Sequence, residues 1–304
     1  TEHPVIRLSF ADGVMASREE LDTHIRYQLN QHRERLGIVS ERPELIANDF
    51  SDLIHRAHQV FGQRAVVLID EYDKPILDNI LLPERARELR EGLKNLYSVL
   101  KDADPNLHFV LLTGVSKFSK VSLFSGLNNL NDITLDAPYA SICGYTDEDI
   151  DSVFAPELPG LDRAEIRHWY NGYRWGGQEV TAVYNPFDVL LLFQKRQFGP
   201  YWFESATPTF LVELLKQRGV FTPSLDQLET EAELLGRFDV DHIGTEALLF
   251  QTGYLTIKQV EEPMVGYRLY TLGFPNQEVE TSLNQVLLPV LGVENPARER
   301  KTLF

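Results

Sequence analysis

Two adjacent carboxylates close an apolar run, Val66-Val67-Leu68-Ile69-Asp70-Glu71, and are the residues of this chain best suited to chemistry. The run suits a strand covered on both faces, as in a parallel sheet, and open α/β sheets bind ligands at the carboxyl ends of their strands. A carboxylate placed there can hold magnesium through its water shell, because Mg²⁺ takes oxygen ligands and keeps several waters. A second can orient or deprotonate a water that attacks a γ-phosphate. Asp70 fits the first role and Glu71 the second. An acidic strand end can also do no more than cap the next helix, so the neighbours decide. The next apolar run, Phe109 to Leu112, ends in Thr113. Its hydroxyl can read a γ-phosphate from the adjoining strand or be an ordinary strand-end group. Lys117 and Lys120 lie just beyond, able to stabilise phosphate charge, to touch a neighbouring subunit's nucleotide, or to stand in a solvated loop. Asp73 could assist magnesium from the turn after Glu71. Capping of the following segment, with Pro75 ending local regularity, competes with that role.

The elements that must position these groups follow from periodicity. Val5 to Phe10 reads as a strand, with Ile6, Leu8 and Phe10 on one face. Ser17 and Glu20 form a capping box for a helix to about Leu36, and Pro43 opens a second helix through Phe61. Glu84 to Lys101 sets Leu89, Leu93, Leu96, Tyr97 and Leu100 on one helical face. Strand, helix and strand in this alternation predict a parallel α/β sheet, with a short strand at Ile133 to Leu135 completing it. Beyond Pro138 the pattern changes to short helices opened at Thr146, Asp162 and Asn185-Pro186, then one from Thr207 to Arg218. A helix from Gly244, strands at Tyr254 to Ile257 and Tyr267 to Tyr270 around a Glu262-Pro263 turn, and a helix from Asn276 to Leu291 give a winged-helix-like end. The expected division is a core at 1–137, a helical lid at 138–220 and a winged-helix-like α+β region at 221–304.

The phosphate-cradling pattern G-x-x-x-x-G-K-[ST] does not occur in the chain. Gly114-Val115-Ser116-Lys117 has the wrong spacing and follows the acidic strand instead of preceding it. The loop is therefore expected upstream of Thr1, with this sequence read as a fragment or trimmed piece. The balance of 43% hydrophobic and 24% charged residues is that of a globular protein. No apolar run reaches membrane-spanning length, which argues for a cytoplasmic protein without a membrane partner. One cysteine, Cys143, excludes an intrachain disulfide and is expected to be a buried thiol. His55 and His58 share a helical face without an acidic partner that would complete a metal site. The net charge of −16 repels nucleic acid over most of the surface. Trp169, Tyr170, Tyr173 and Trp175 therefore read as a core or hinge cluster more than a base-stacking platform.

Val67-Leu68-Ile69-Asp70-Glu71-Tyr72-Asp73-Lys74-Pro75 resembles the Walker B segment of the bacterial AAA-ATPase-like domain family. So do the long block from Leu111 to Leu130, Cys143-Gly144-Tyr145-Thr146, Trp169 to Tyr173, Tyr184 to Phe187, and Leu272 to Asn276. The resemblance covers nearly the whole chain. It implies a partial P-loop NTPase-type sheet, ATP and Mg²⁺ as cofactors, catalytic roles for Asp70, Glu71 and Thr113, and nucleotide contacts from Asp70, Asp73 and Lys117. Family members typically carry an N-terminal phosphate loop and often a C-terminal domain similar to PD-(D/E)XK nucleases. The implied partners are a nucleotide and either the protein's own nuclease-like domain or further copies of itself, with nucleic acid left to the complete protein. The spacing in Glu71-Tyr72-Asp73-Lys74 does not match a nuclease signature, so no nuclease chemistry is assigned to these residues. Without the phosphate loop, this chain alone is expected neither to bind ATP tightly nor to hydrolyse it. The competing reading is a non-catalytic interaction scaffold derived from an ATPase.

Overall fold

A computed structural model describes residues 2–39, 43–116, 123–124, 127, 129–177, 179–206, 209–220, 225–235, 238–239 and 242–287. The chain forms two compact units, one from residues up to 130 together with 236–243, the other from 131–235 together with residues from 244 onward.

The first unit is a parallel sheet of β1 (Val5–Ser9), β2 (Ala65–Asp70) and β3 (Leu107–Leu112) in that order, with α1 (Arg18–Leu36), α2 (Ile46–Phe61), α3 (Lys74–Leu77) and α4 (Pro83–Asp102). Alternation along the strands separates two faces. Ile6, Leu8, Val67 and Ile69 are fully buried beneath the mutually packed α1, α2 and α4, each side chain stabilising the fold by roughly 1.5–3 kcal/mol. The opposite face carries Val66 and Leu68, half-buried, beside Phe109 and Leu111, which are 52% and 39% exposed. The expectation of strands covered on both faces therefore holds on one side only.

Ser17 caps α1 by accepting from the Glu20 amide at 3.2 Å. The Glu20 carboxylate reaches past the cap to the Ala16 amide at 2.6 Å, so the expected box closes one residue earlier. Helix α2 starts at Ile46, after Pro43 instead of on it. A buried guanidinium ties it to α1: Arg33 meets Asp49 at 2.6 Å and Asp52 at 3.0 Å. The apolar face expected of α4 is buried at Leu89, Leu93, Leu96, Tyr97 and Leu100.

The second unit contains α5 (Asp147–Ser152), α6 (Arg163–Tyr170), α7 (Pro186–Lys195), α8 (Tyr201–Ala206), α9 (Thr209–Gln217), α10 (Ala232–Leu235), α11 (Thr245–Gln251) and α12 (Gln277–Leu287). Strands β4 (Leu228–Glu231), β7 (Thr256–Met264) and β8 (Tyr267–Gly273) form an antiparallel sheet in the order β4-β8-β7. The short β5 (Phe238–Asp239) and β6 (His242–Ile243) pair within the first unit. Thr146, Asp162 and Asn185 cap α5, α6 and α7 with their side chains, as their residue types predict.

Several expectations are corrected. Residues 133–135 form a turn, because the Asp132 carboxylate accepts the Thr134 amide at 3.1 Å and Asp136 closes back on Ile133. The β7–β8 turn lies at Val265-Gly266, not at Glu262-Pro263, because Gly266 supplies the left-handed φ of 83° that the reversal needs. Cys143 is exposed, since it sits in a surface turn. The helix expected from Thr207 is present over Thr209–Gln217, residues 207 and 208 and the part of the final helix expected beyond residue 287 lying outside the described residues. Tyr170 and Tyr173 are buried, in keeping with a core role for the aromatic cluster.

Gly172 has φ of 123°, and a Cβ there would overlap the Pro275 carbonyl oxygen. Gly172→Ala combines strained backbone with steric overlap and is expected to cost about 2–3 kcal/mol. Chemical denaturation would register this as a lower midpoint at unchanged slope.

Candidate functional site at the carboxyl edge of the parallel sheet

The register places Ser9 beside Asp70 and Leu112 beside Ile69, so the ends of all three parallel strands lie at one edge. Backbone bonds continue the pairing past the strands: Phe10 donates to the Asp70 carbonyl at 3.1 Å, and Thr113 to that of Ile69 at 2.9 Å. Asp70 therefore stands on the central strand with a neighbour on either side. The Thr113 hydroxyl donates to Asp70 Oδ1 at 2.8 Å, and Arg7 Nη2 donates to Asp70 Oδ2 at 3.0 Å. These groups share the half-open face, where Arg7 and Asp70 remain 61% and 43% exposed.

Glu71 follows with φ of 51°, a left-handed conformation that costs a non-glycine residue about 1 kcal/mol or more. The distortion turns the chain sharply from β2 into α3. Burial pushes the Glu71 carboxyl up, Lys74 draws it down, and Asp70 and Asp78 push it up further. A carboxyl raised in this way is a better proton acceptor. The Lys74 ammonium donates to the Gly13 carbonyl at 2.9 Å and to Asp78 at 2.5 Å, holding the segment after β1 near the same edge.

Asp73 points elsewhere. It is fully buried, and its carboxylate accepts from the Val115 amide at 3.2 Å and from both the amide and the hydroxyl of Ser116. Its backbone begins α3, but its side chain makes no capping bond there, and Pro75 lies inside the helix. Burial raises the Asp73 carboxyl to about 6 against the pull of its donors. Tyr72 donates to the Ser116 carbonyl at 2.6 Å, Tyr97 donates to the Tyr72 carbonyl at 2.8 Å, and Phe124 packs against both rings. Gly114 fits because a Cβ there would overlap Asp73 Oδ1 and lie 2.8 Å from the Tyr72 ring. Asp-Glu-Tyr-Asp thus divides between two tasks: Asp70 and Glu71 face the edge, while Tyr72 and Asp73 anchor the chain that leaves Thr113.

Among the sites expected from sequence, Asp70, Glu71 and Thr113 gather at the edge and Asp73 lies behind it. Lys117 and Lys120 lie outside the described residues. Arg7 was not singled out by the sequence, and Lys74 entered only through the rejected nuclease spacing. Arg7 alternates with the buried Ile6 and Leu8, which assigns it to the open face, but only the register brings it to Asp70. The oxygen donors Asp70, Glu71 and Thr113 suit a hard cation that keeps its waters. No three metal-ligating side chains among the described residues converge to hold a metal directly. No helix among them is long and apolar enough to cross a membrane.

Residues 1–124 match the AAA-ATPase-like family, described as predicted AAA-ATPases. The chain is 58% identical over 286 residues to an uncharacterized protein in the vnfD 5' region of Azotobacter chroococcum mcd 1. The alignment covers 94% of this chain and 54% of that protein, so the chain spans about half the length of its relative. No solved structure matches it.

Proposed function

We propose, taking as premise that residues 1–124 belong to the AAA-ATPase-like family, that the carboxyl edge of the parallel sheet is the hydrolytic half of an ATP site. Asp70 holds Mg²⁺ through water, Glu71 orients or deprotonates the attacking water, and Thr113 fixes the Asp70 carboxylate and senses the γ-phosphate. Lys117, outside the described residues, contributes positive charge toward phosphate in this reading. When bound, Mg²⁺ supplies charge neutralisation across the phosphate oxygens. The observation that carries this reading is the Thr113 hydroxyl on Asp70 at the ends of adjacent parallel strands, with Glu71 beside it in strained backbone. Left-handed backbone also occurs at Arg196 and Gln227, but only at Glu71 does it fall at the carboxyl edge, where such strain accompanies functional turns.

In this reading the phosphate loop comes from outside these 304 residues. Nucleotide state repositions a lid at 138–220 and a winged-helix-like region at 221–304, and so signals to a nuclease-like domain. The boundary at 220 runs through the second unit, where α12 packs on α6, α8 and α9. A scaffold without catalysis is the second reading. It is favoured by Arg7, which occupies an Asp70 oxygen, and by the absence of the G-x-x-x-x-G-K-[ST] pattern.

Calorimetric titration with Mg-ATP, on this chain and on a version extended upstream in its natural protein, separates the two. Binding by the extended version alone is the expected result. Binding by neither would remove the ATPase reading and leave the scaffold.

A further inference from the structure

Three residue blocks play no part in the ATPase reading: 169–173, 184–187 and 272–276. In the second unit they meet. The Asn185 amide donates to the Tyr170 carbonyl at 3.1 Å, and Gly172 packs against Pro275. Asn185 caps α7 through the Phe187 amide at 3.0 Å, and Asn276 caps α12 through the Val279 amide at 3.1 Å. Each of these helices carries a fully buried carboxyl in its first turn, Asp188 on α7 and Glu278 on α12. Both hold consecutive amides of α8: Asp188 Oδ1 accepts from Trp202 at 2.8 Å, and Glu278 Oε1 from Phe203 at 3.1 Å.

The other oxygens, Asp188 Oδ2 and Glu278 Oε2, accept no hydrogen bond from any donor. The two side chains are nevertheless neighbours, since they grip adjacent amides of α8 and each perturbs the other. The titratable groups facing them are Tyr170 from α6, Tyr173 from the segment after it and Tyr201 from α8, and no cationic side chain shifts either carboxyl. The Tyr173 hydroxyl is buried beside Asn185 and Asn276, and the Asn171 amide beside Tyr184, so polar groups without charge surround the pair. Two carboxylates sealed from water without a counter-charge cannot both stay ionised.

We propose that Asp188 and Glu278 share one proton between their unpartnered oxygens, and that this proton fastens the first turn of α8 to the amino ends of α7 and α12. Loss of the proton sets two buried negative charges against each other and frees α8. Burial pushes both carboxyls up, and the facing Asp188 pushes Glu278 further. A carboxyl raised on folding stabilises the protein fully below its unfolded value, and that contribution is lost as pH rises through the folded one. Between about pH 6 and pH 9 the folded pair keeps one proton that the unfolded chain has released. The unfolding constant then rises roughly tenfold per pH unit.

The test compares denaturant unfolding of the wild-type chain and Glu278→Gln across this pH range. The amide of Gln can accept from Phe203 and donate to Asp188 without titrating. The ratio of the wild-type to the variant unfolding constant should therefore rise about tenfold per unit. Taking this ratio cancels Asp73 and Glu71, whose raised values act in the same direction. Parallel pH dependences would overturn the proposal. So would a selective stabilisation of the wild type by Na⁺, K⁺ or Ca²⁺ at pH 8, which would put a cation in place of the proton. If Glu278→Gln does not fold, infrared spectra of the wild type near pH 8 decide. A persistent protonated-carboxyl band supports the shared proton, and its absence overturns it.

Discussion

Glu71→Gln, in a version of the protein that carries a phosphate loop, is expected to lower ATP turnover by roughly 10²–10⁴-fold while nucleotide affinity stays within a few-fold. The amide keeps the shape of the side chain but cannot accept the proton of an attacking water, and Asp70 remains in its clasp with Thr113 and Arg7. A fall in binding equal to the fall in turnover would place Glu71 in nucleotide holding instead. The backbone supplies a second, independent readout. Glu71 has φ of 51°, a conformation that glycine adopts freely. Glu71→Gly should therefore also abolish turnover, yet leave stability unchanged or raise it by up to about 1 kcal/mol. A residue that gains stability when removed and costs activity when removed is held in place for function. If Glu71→Gly destabilised the fold and Glu71→Gln hydrolysed normally, the side chain would be a structural turn residue and the hydrolytic role would fall.

The parts of the fold that were legible in sequence are those governed by local chemistry. Ser17, Thr146, Asp162 and Asn185 announce helix starts because a short oxygen-bearing side chain next to an apolar period satisfies free amides. Asp70, Glu71 and Thr113 were legible because strand ends in a parallel sheet share an edge. What was hidden depends on register or distance. The Arg7–Asp70 pair joins residues 63 apart, and nothing in the spacing of β1 shows which of its side chains meets Asp70. Asp73 looked like a metal or cap residue because its sequence neighbours are polar, whereas its partners lie 42 and 43 positions away. The strand expected at 133–135 failed for the opposite reason, since the β-branched residues there are outweighed by an Asp132 side chain that folds onto the backbone. The Asp188–Glu278 contact joins two helix starts that could each be read, but their juxtaposition could not.

Asp73→Ala is the variant that best separates support from catalysis at this edge. The substitution strips the partner from the Val115 amide and from the Ser116 amide and hydroxyl, and leaves a gap under Gly114. Leaving these three donors without their acceptor should cost about 3–5 kcal/mol at pH 5. The pH dependence follows from burial, which raises the Asp73 carboxyl from 3.8 to about 6. The contribution of Asp73 to stability is complete below about pH 3.8 and declines as pH rises through 6, so the gap between wild type and variant should narrow by pH 8. Because Thr113 leads directly into the anchored segment, its hold on Asp70 should loosen as well, and nucleotide turnover in a loop-bearing version should fall together with stability. A magnesium role predicts a different pattern: unchanged stability, and turnover restored by excess Mg²⁺. Thermal midpoints at pH 5 and 8, read beside a Mg²⁺ titration of turnover, distinguish these outcomes. Rescue by Mg²⁺ with an unshifted midpoint would return Asp73 to the metal site, whereas a lowered midpoint that excess Mg²⁺ does not restore leaves it as the post that holds the Thr113 strand end in place.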